Sequence, residues 1–217
     1  MKYSWVLFDL DGTLTDPGEG ITNSIMYALD KYGIKEENRS SLYKFIGPPL
    51  RDSFMEFYGL SEDDAWKCVG FYREYFGVKG LFENKVYEGI SQLLERIKAA
   101  GIGLMVATSK PTEYSLQILE KYGLLKYFDY VSGSSMNEAN ADKAIIIKNA
   151  LEWANADKDK VLMIGDRKFD VLGAKANGVD SMGVLYGYGD RLELETAGAN
   201  YICQKVEEIA ECIFSGR

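Results

Sequence analysis

Histidine is absent from this 217-residue chain, and cysteine is scarce, with three. The first absence excludes a Ser-His-Asp or Cys-His catalytic system, histidine-ligated zinc and a phosphohistidine route. Proton transfer near neutral pH must then use a carboxylate, Lys, Tyr or Cys. Oxygen-rich donors favour a hard cation such as Mg2+. Cys68, Cys203 and Cys212 are scattered and odd in number, which suggests neither a disulfide framework nor a zinc site. Packing roles are expected for them. No apolar stretch approaches the roughly 20 residues of a membrane span, and the N-terminal residues lack a basic-then-apolar signal pattern. The expectation is a cytoplasmic protein with no membrane partner. Basic residues number 25 against 33 acidic ones, a net charge of −8. That balance argues against a nucleic-acid partner, whose binding rests on clustered Lys and Arg. A small phosphorylated metabolite is compatible with it, because a metal and one lysine can reverse the potential inside a single pocket.

What is present is ordinary in bulk: 47% hydrophobic and 27% charged residues, as in soluble globular proteins. The length suits one large domain, or a domain with a smaller one inserted. The informative stretch is Val6-Leu7-Phe8-Asp9-Leu10-Asp11-Gly12-Thr13-Leu14-Thr15-Asp16. It opens with the composition of a buried parallel strand and breaks abruptly into carboxylates, a glycine and hydroxyls. Open α/β sheets carry their ligands beyond the carboxyl ends of the strands. Asp9 and Asp11 are two apart and can aim at one small volume, where mutual repulsion is relieved by a cation or a shared proton. Turn and cap roles account for Gly12 and for Thr15 or Asp16. They do not account for an acidic pair at the mouth of an apolar strand.

Downstream, helical spacing runs through Ile21, Ile25, Ala28 and Leu29 to Tyr32-Gly33, with further helical pieces expected at 39–45, 50–58 and from Ser61 to about Phe76. Between them, Gly47-Pro48-Pro49-Leu50-Arg51 is a break that no regular element crosses. Residues 17–86 therefore read as a run of helices with no convincing strand. From Gly89 the pattern alternates. Helices are expected at 90–100, 112–122, 143–153 and 171–177, and strands at 102–107, 128–131, 161–164 and 181–185. A last strand and helix fall within 201–214. Alternation of this kind implies a doubly wound parallel sheet. The expected organisation is an α/β core of residues 1–16 and 87–217 with a helical insertion at 17–86. An insertion there would serve as a lid that excludes water and reads the substrate.

Three further clusters stand at strand or helix ends. Thr108-Ser109-Lys110-Pro111 offers hydroxyls and N–H groups beside a helix start, equally suited to an anion site and to a cap. Lys143 lies in a first helical turn, where a cation opposes the helix dipole, or is a solvated surface lysine. Gly165-Asp166-Arg167-Lys168-Phe169-Asp170 follows the apolar strand 161–164 and sets two carboxylates one helical turn apart.

The string Asp9-Leu10-Asp11-Gly12-Thr13 resembles the signature of the haloacid dehalogenase-like hydrolase superfamily, mostly phosphatases. The later clusters match that superfamily's remaining motifs in order, so the resemblance covers the whole chain. The helical insertion is similar to the cap of its phosphoglycolate phosphatase and β-phosphoglucomutase branch. Gly187-Tyr188-Gly189 after the fifth strand adds to the phosphoglycolate phosphatase-like layout. The resemblance implies a Rossmann-like core, with Asp9 as nucleophile and Asp11 as general acid/base. Thr108, Ser109 and Lys143 would bind the phosphoryl group. Mg2+ would be held by Asp9, the backbone carbonyl of Asp11 and Asp166, with Asp170 a ligand or a partner of the ligands. Relatives often carry proline after the motif lysine. Here Ala144 follows Lys143 and Pro111 follows Lys110, so Lys110 is the alternative, although the spacing to Asp166 favours Lys143. Dehalogenation is disfavoured, because dehalogenases of the family lack the second aspartate.

Several readings stay open from sequence. A phosphomutase would use the same core, and a receiver-like or non-catalytic phospho-aspartate protein is a remoter alternative. Candidate substrates are phosphoglycolate, a sugar phosphate, a nucleoside monophosphate and pyrophosphate. Arg51, beside rigid prolines, is either a solvated arginine or the donor for a second anionic group of the substrate. The state expected is a monomer or homodimer.

Overall fold

In the computed structural model, residues 2–137 and 140–215 are described. They fall into two compact units, Met1–Asp16 with Val86–Arg217, and Pro17–Lys85.

The first unit is built on six parallel strands, β1 (Trp5–Phe8), β2 (Gly103–Pro111), β3 (Tyr130–Ser134), β4 (Val161–Gly165), β5 (Asp180–Val184) and β6 (Tyr201–Cys203). Their spatial order is β3-β2-β1-β4-β5-β6, the doubly wound order whose direction of winding reverses beside the first strand. β1 pairs with both β2 and β4, Trp5 facing Gly103 on one side and Val161 on the other. Val6, Leu7 and Phe8 have no solvent exposure, as expected of a strand covered on both faces. Leu7 packs with Met105, Ala107, Val161 and Met163 on one face of the sheet, against Ile146, Ile147 and Ala150 of α6 (Lys143–Ala154) and Ala174 of α7 (Lys168–Asn177). Truncating a side chain so enclosed costs about 2–5 kcal/mol. Right-handed crossovers put α4 (Ile90–Ala99) and α5 (Thr112–Lys121) on the opposite face, and α9 (Val206–Ser215) returns to pack on α4.

The second unit, residues 17–85, consists of α1 (Gly18–Tyr32), α2 (Leu50–Tyr58) and α3 (Glu62–Phe76) with 3-10 turns at Arg39–Phe45 and Gly80–Phe82. Its packing is aromatic: the Phe45 ring lies 5.1 Å from those of Phe54 and Phe57. Gly20 lets α1 approach the Gly80 turn, since a Cβ there would collide with the Gly80 carbonyl.

Several details differ from the sequence reading: a two-residue strand stands at Lys85–Val86, within the stretch read as free of strand, and α7 begins at Lys168, three residues before the expected start. The 39–45 segment is a 3-10 helix, short and capped by Asn38. β3 begins two residues later than expected and runs to Ser134. The helix α8 (Arg191–Ala197) was not anticipated. It buries only Leu194 and Ala197, too few apolar positions to establish a period, and is fixed by its Asp190 cap and by Gly198. Finally β2 does not stop at Ala107 but continues to Pro111, with a register shift against β3 between those two residues.

Candidate active site

The site grows from the ends of β1, β2 and β4, at the point where the winding reverses. Asp9 still follows the sheet, its N–H donating to the Ile164 carbonyl at 2.9 Å. The chain then folds tightly around the Leu10 carbonyl, which accepts from the N–H groups of Thr13, Leu14 and Thr15. Gly12 makes this turn with φ +82°, and a Cβ in its place would run into the Asp166 carboxylate. Gly187 presses against the Asp166 side chain in the same way and Gly165 against that of Asp170, while a Cβ at Gly189 would collide with the Asp166 backbone carbonyl. Glycine is needed at Gly12, Gly187 and Gly165 because two carboxylate side chains occupy the space.

Asp166 has no solvent exposure. Its Oδ1 accepts from the Thr13 hydroxyl at 3.2 Å and its Oδ2 from the Tyr188 N–H at 2.8 Å. The Tyr188 hydroxyl in turn donates to Asp16, and the Tyr186 hydroxyl to the Thr13 carbonyl at 3.0 Å. The loop after β5 thus ties down the loop after β1. Asp170, in the first turn of α7, accepts from the Arg167 N–H at 3.1 Å. Lys143, the first residue of α6, is buried with its Nζ 2.9 Å from Asp9 Oδ1 and 2.7 Å from Asp170 Oδ1, and it donates to the Ala107 carbonyl at 3.1 Å. A cation at a helix start is explained by these partners, not by the dipole. Lys110 reaches Asp11 instead, Nζ to Oδ2 at 2.7 Å.

Burial dominates the electrostatics. It pushes the Asp166 carboxyl well above its usual range, and the neighbouring Asp170 and Asp9 push the same way. Asp170 is carried up to about 6 by burial against the pull of Lys143. Asp11 is raised by burial too, with Lys110 opposing the shift. For Lys143 burial disfavours the ammonium, but Asp170 and Asp9 outweigh it and hold the side chain charged.

One oxygen from each of Asp9, Asp166 and Asp170 lies within 4.8 Å of the others. Four carboxylates, counting Asp11, meet two ammonium groups here. A hard divalent cation fits that donor set: the ligands are all oxygen, and Asp9 and Asp170 push the Asp166 carboxyl up despite the opposing Arg167 charge and Tyr188 N–H.

Asp9, Asp11, Asp166, Asp170 and Lys143 are therefore brought together. Thr108 is buried next in sequence to Ala107, whose carbonyl Lys143 engages, and its Oγ1 accepts from the Lys110 N–H at 3.3 Å. Ser109 is differently engaged. Its hydroxyl donates to the Ala141 carbonyl at 2.9 Å, because the segment is strand and not the start of a helix. Both candidate lysines lie at the site, Lys143 against Asp9 and Asp170 and Lys110 against Asp11. Thr13, Tyr186 and Tyr188 were not singled out from sequence for this site. The Gly-Tyr-Gly spacing held the signal, since glycines flanking one residue mark close backbone approach. Arg51 lies on the helical unit, paired with Asp52 at 2.7 Å and Glu62 at 3.2 Å.

A parallel sheet presenting buried carboxylates and lysines at its winding reversal has the layout of an α/β enzyme, with an oxygen-donor set that could hold a cation. Residues 6–184 match the model of the haloacid dehalogenase-like hydrolase family, and the chain belongs to that family. A 5'-nucleotidase of Pseudomonas aeruginosa is 41% identical over 215 residues, 99% of this chain and 97% of that one. A solved structure from Clostridium acetobutylicum, described as a predicted phosphatase, is 51% identical with a TM-score of 0.96, over 99% of this chain and 100% of its own. A phosphoglycolate phosphatase of Vibrio parahaemolyticus is 26% identical, over 96% of this chain and 95% of that one. Among the described residues no helix is long and apolar enough to cross a membrane.

Proposed function

We propose that this chain is a Mg2+-dependent phosphatase that frees phosphate from a small phosphomonoester through an aspartyl-phosphate. That it is a hydrolase acting on phosphate esters follows from its family and its relatives; the metal, the residue roles and the substrate are the proposal. The observation that carries it is the buried meeting of Asp9 with Lys143, Asp166 and Asp170.

In this reading Asp9 attacks phosphorus and the leaving oxygen takes a proton from Asp11, so one difficult displacement becomes two easier ones. Water then attacks the phosphorus, its proton passes to Asp11, and the bond from Asp9 to phosphorus breaks. Lys143 and Thr108 hold the phosphoryl oxygens, and Lys143 offsets the repulsion between a carboxylate nucleophile and an anionic ester. Asp9, Asp166 and the Asp11 carbonyl would hold Mg2+, with Asp170 fixing their surroundings, and the ion would supply charge neutralisation at the phosphoryl group. Residues 17–85 would act as the cap domain.

A nucleoside monophosphate heads the substrate panel, because the 41%-identical relative is a 5'-nucleotidase. Phosphoglycolate, sugar phosphates and pyrophosphate complete it. Phosphate release should require Mg2+, stop with EDTA and vanish in Asp9→Asn. Release that survives Asp9→Asn would overturn the reading. A phosphoryl group trapped on Asp9 with no release would point to transfer onto another acceptor.

A further inference from the structure

Lys110 is an expensive residue to place where it is. Its side chain is 6% exposed, and a buried ammonium is tolerated only with close compensation. The backbone around it is specially arranged. Between Ala107 and Pro111 β2 advances four residues while its partner β3 advances two, from Ser132 to Ser134. Such irregularities re-aim side chains, often beside active sites. The Ser134 hydroxyl secures the distortion by donating to the Ser109 carbonyl at 2.8 Å. Gly133 makes room for it: a Cβ there would stand 2.7 Å from the Lys110 carbonyl. The outcome is that Lys110 turns inward to Asp11 and Ser109 engages Ala141.

The contact is also selective between the two oxygens of Asp11. Oδ2 is held by Lys110, whereas Oδ1 is buried with no hydrogen-bond partner among the described residues. A carboxyl fixed through one oxygen presents the other in a single direction. That is what a group exchanging protons with a substrate or water requires.

We propose that Lys110 is a positioning residue for Asp11: it clamps Oδ2 so that Oδ1 faces the reacting atoms. The inference rests on the aspartyl-phosphate reading above. Its consequence is sharpest in the second half-reaction. There a water oxygen bonds to phosphorus, its proton goes to Asp11, and the phosphorus–oxygen bond to Asp9 breaks with its electrons returning to the carboxylate.

The test is pre-steady-state turnover of p-nitrophenyl phosphate, whose leaving group departs without a proton, by wild type, Lys110→Met and Lys110→Arg in Mg2+. Lys110→Met should form the aspartyl-phosphate at near the wild-type rate and hydrolyse it about 10- to 100-fold more slowly. A burst of p-nitrophenol approaching one per active site, followed by slow turnover, is the expected signature. KM should not rise, and Lys110→Arg should restore much of the hydrolysis. Unchanged kcat, or a loss expressed only in KM, would overturn the proposal, the latter making Lys110 a phosphate ligand. If Lys110→Met does not fold, Lys110→Gln takes its place; failure of both to fold would make the lysine a structural charge and equally overturn it. Failure of the underlying reading looks different: wild type would not turn over, or Asp9→Asn would.

Discussion

Lys143 and Arg51 are both cations set between two carboxylates, one in each unit, and the resemblance ends there. The Lys143 side chain is 5% exposed, between Asp9 at 6% and Asp170 at 2%. Arg51 is 37% exposed, between Asp52 at 52% and Glu62 at 63%. Water screens the second group, and such pairs are worth about 0–1 kcal/mol. The first group has no water to fall back on, so removing one member leaves uncompensated charge at a cost of about 3–5 kcal/mol. The charges around Lys143 are fixed in place by burial, whereas those around Arg51 stand at the surface.

The largest expected break in this contrast is Asp9→Asn. Phosphate release should fall at least about a thousandfold, since the substitution removes the nucleophile of the proposed reaction. The fold should persist, because the substitution removes repulsion from Asp166 and Asp170 while Lys143 keeps Asp170. Circular dichroism alongside the assay separates the two effects. Residual activity within tenfold of wild type would remove Asp9 from its role.

Lys143→Met comes next. It leaves Asp9 and Asp170 buried without their shared cation, and urea denaturation should show a loss of about 3–5 kcal/mol together with loss of turnover. A stability change below about 1 kcal/mol would mean that the site hydrates freely, and the comparison with Arg51 would collapse.

Mg2+ sharpens the same comparison without mutation. If the acidic cluster is where the ion binds, a concentration 100 times its Kd should stabilise the protein by about 2.7 kcal/mol, and EDTA should reverse the effect. Thermal melts of Asp166→Asn provide the control, because that carboxylate faces Asp9 and Asp170. An undiminished shift in the variant would place the ion elsewhere.

The sequence is legible in the α/β unit for a physical reason. Apolar strands ending in Asp9-Leu10-Asp11 and Gly165-Asp166 put polar groups where burial would otherwise forbid them, so the exception itself is the signal. Lys110 was less legible. The order Thr108-Ser109-Lys110 does not reveal that the strand carries on with a register shift, and that shift is what sends the Ser109 hydroxyl to Ala141 and the Lys110 ammonium to Asp11. Tyr188 was hidden in another way, since the group that engages Asp166 is its backbone N–H, which any residue but proline carries. α8 was missed because seven residues with two buried side chains have no period to read. The helical unit gave its helices through ordinary amphipathic spacing, but its surface charges follow no such constraint.

Arg51→Ala probes that surface and should have the smallest effect. Stability should change by less than about 1 kcal/mol, because the pairs with Asp52 and Glu62 are exposed and screened by water. Selectivity is the better readout. If Arg51 serves a second anionic group on the substrate, kcat/KM should fall about tenfold for phosphoesters carrying one, a change of about 1.4 kcal/mol, and stay level for those without. The guanidinium is already held by carboxylates and lies over the Trp66 ring, 5.8 Å from its centroid, so a substrate anion would have to displace Asp52 or Glu62 to claim it. That competition sets the modest size of the effect and supplies its control: Glu62→Gln should move kcat/KM for the doubly anionic esters in the opposite direction. Equal ratios across the panel in both variants would leave Arg51 a solvated arginine, and substrate choice would have to come from other residues.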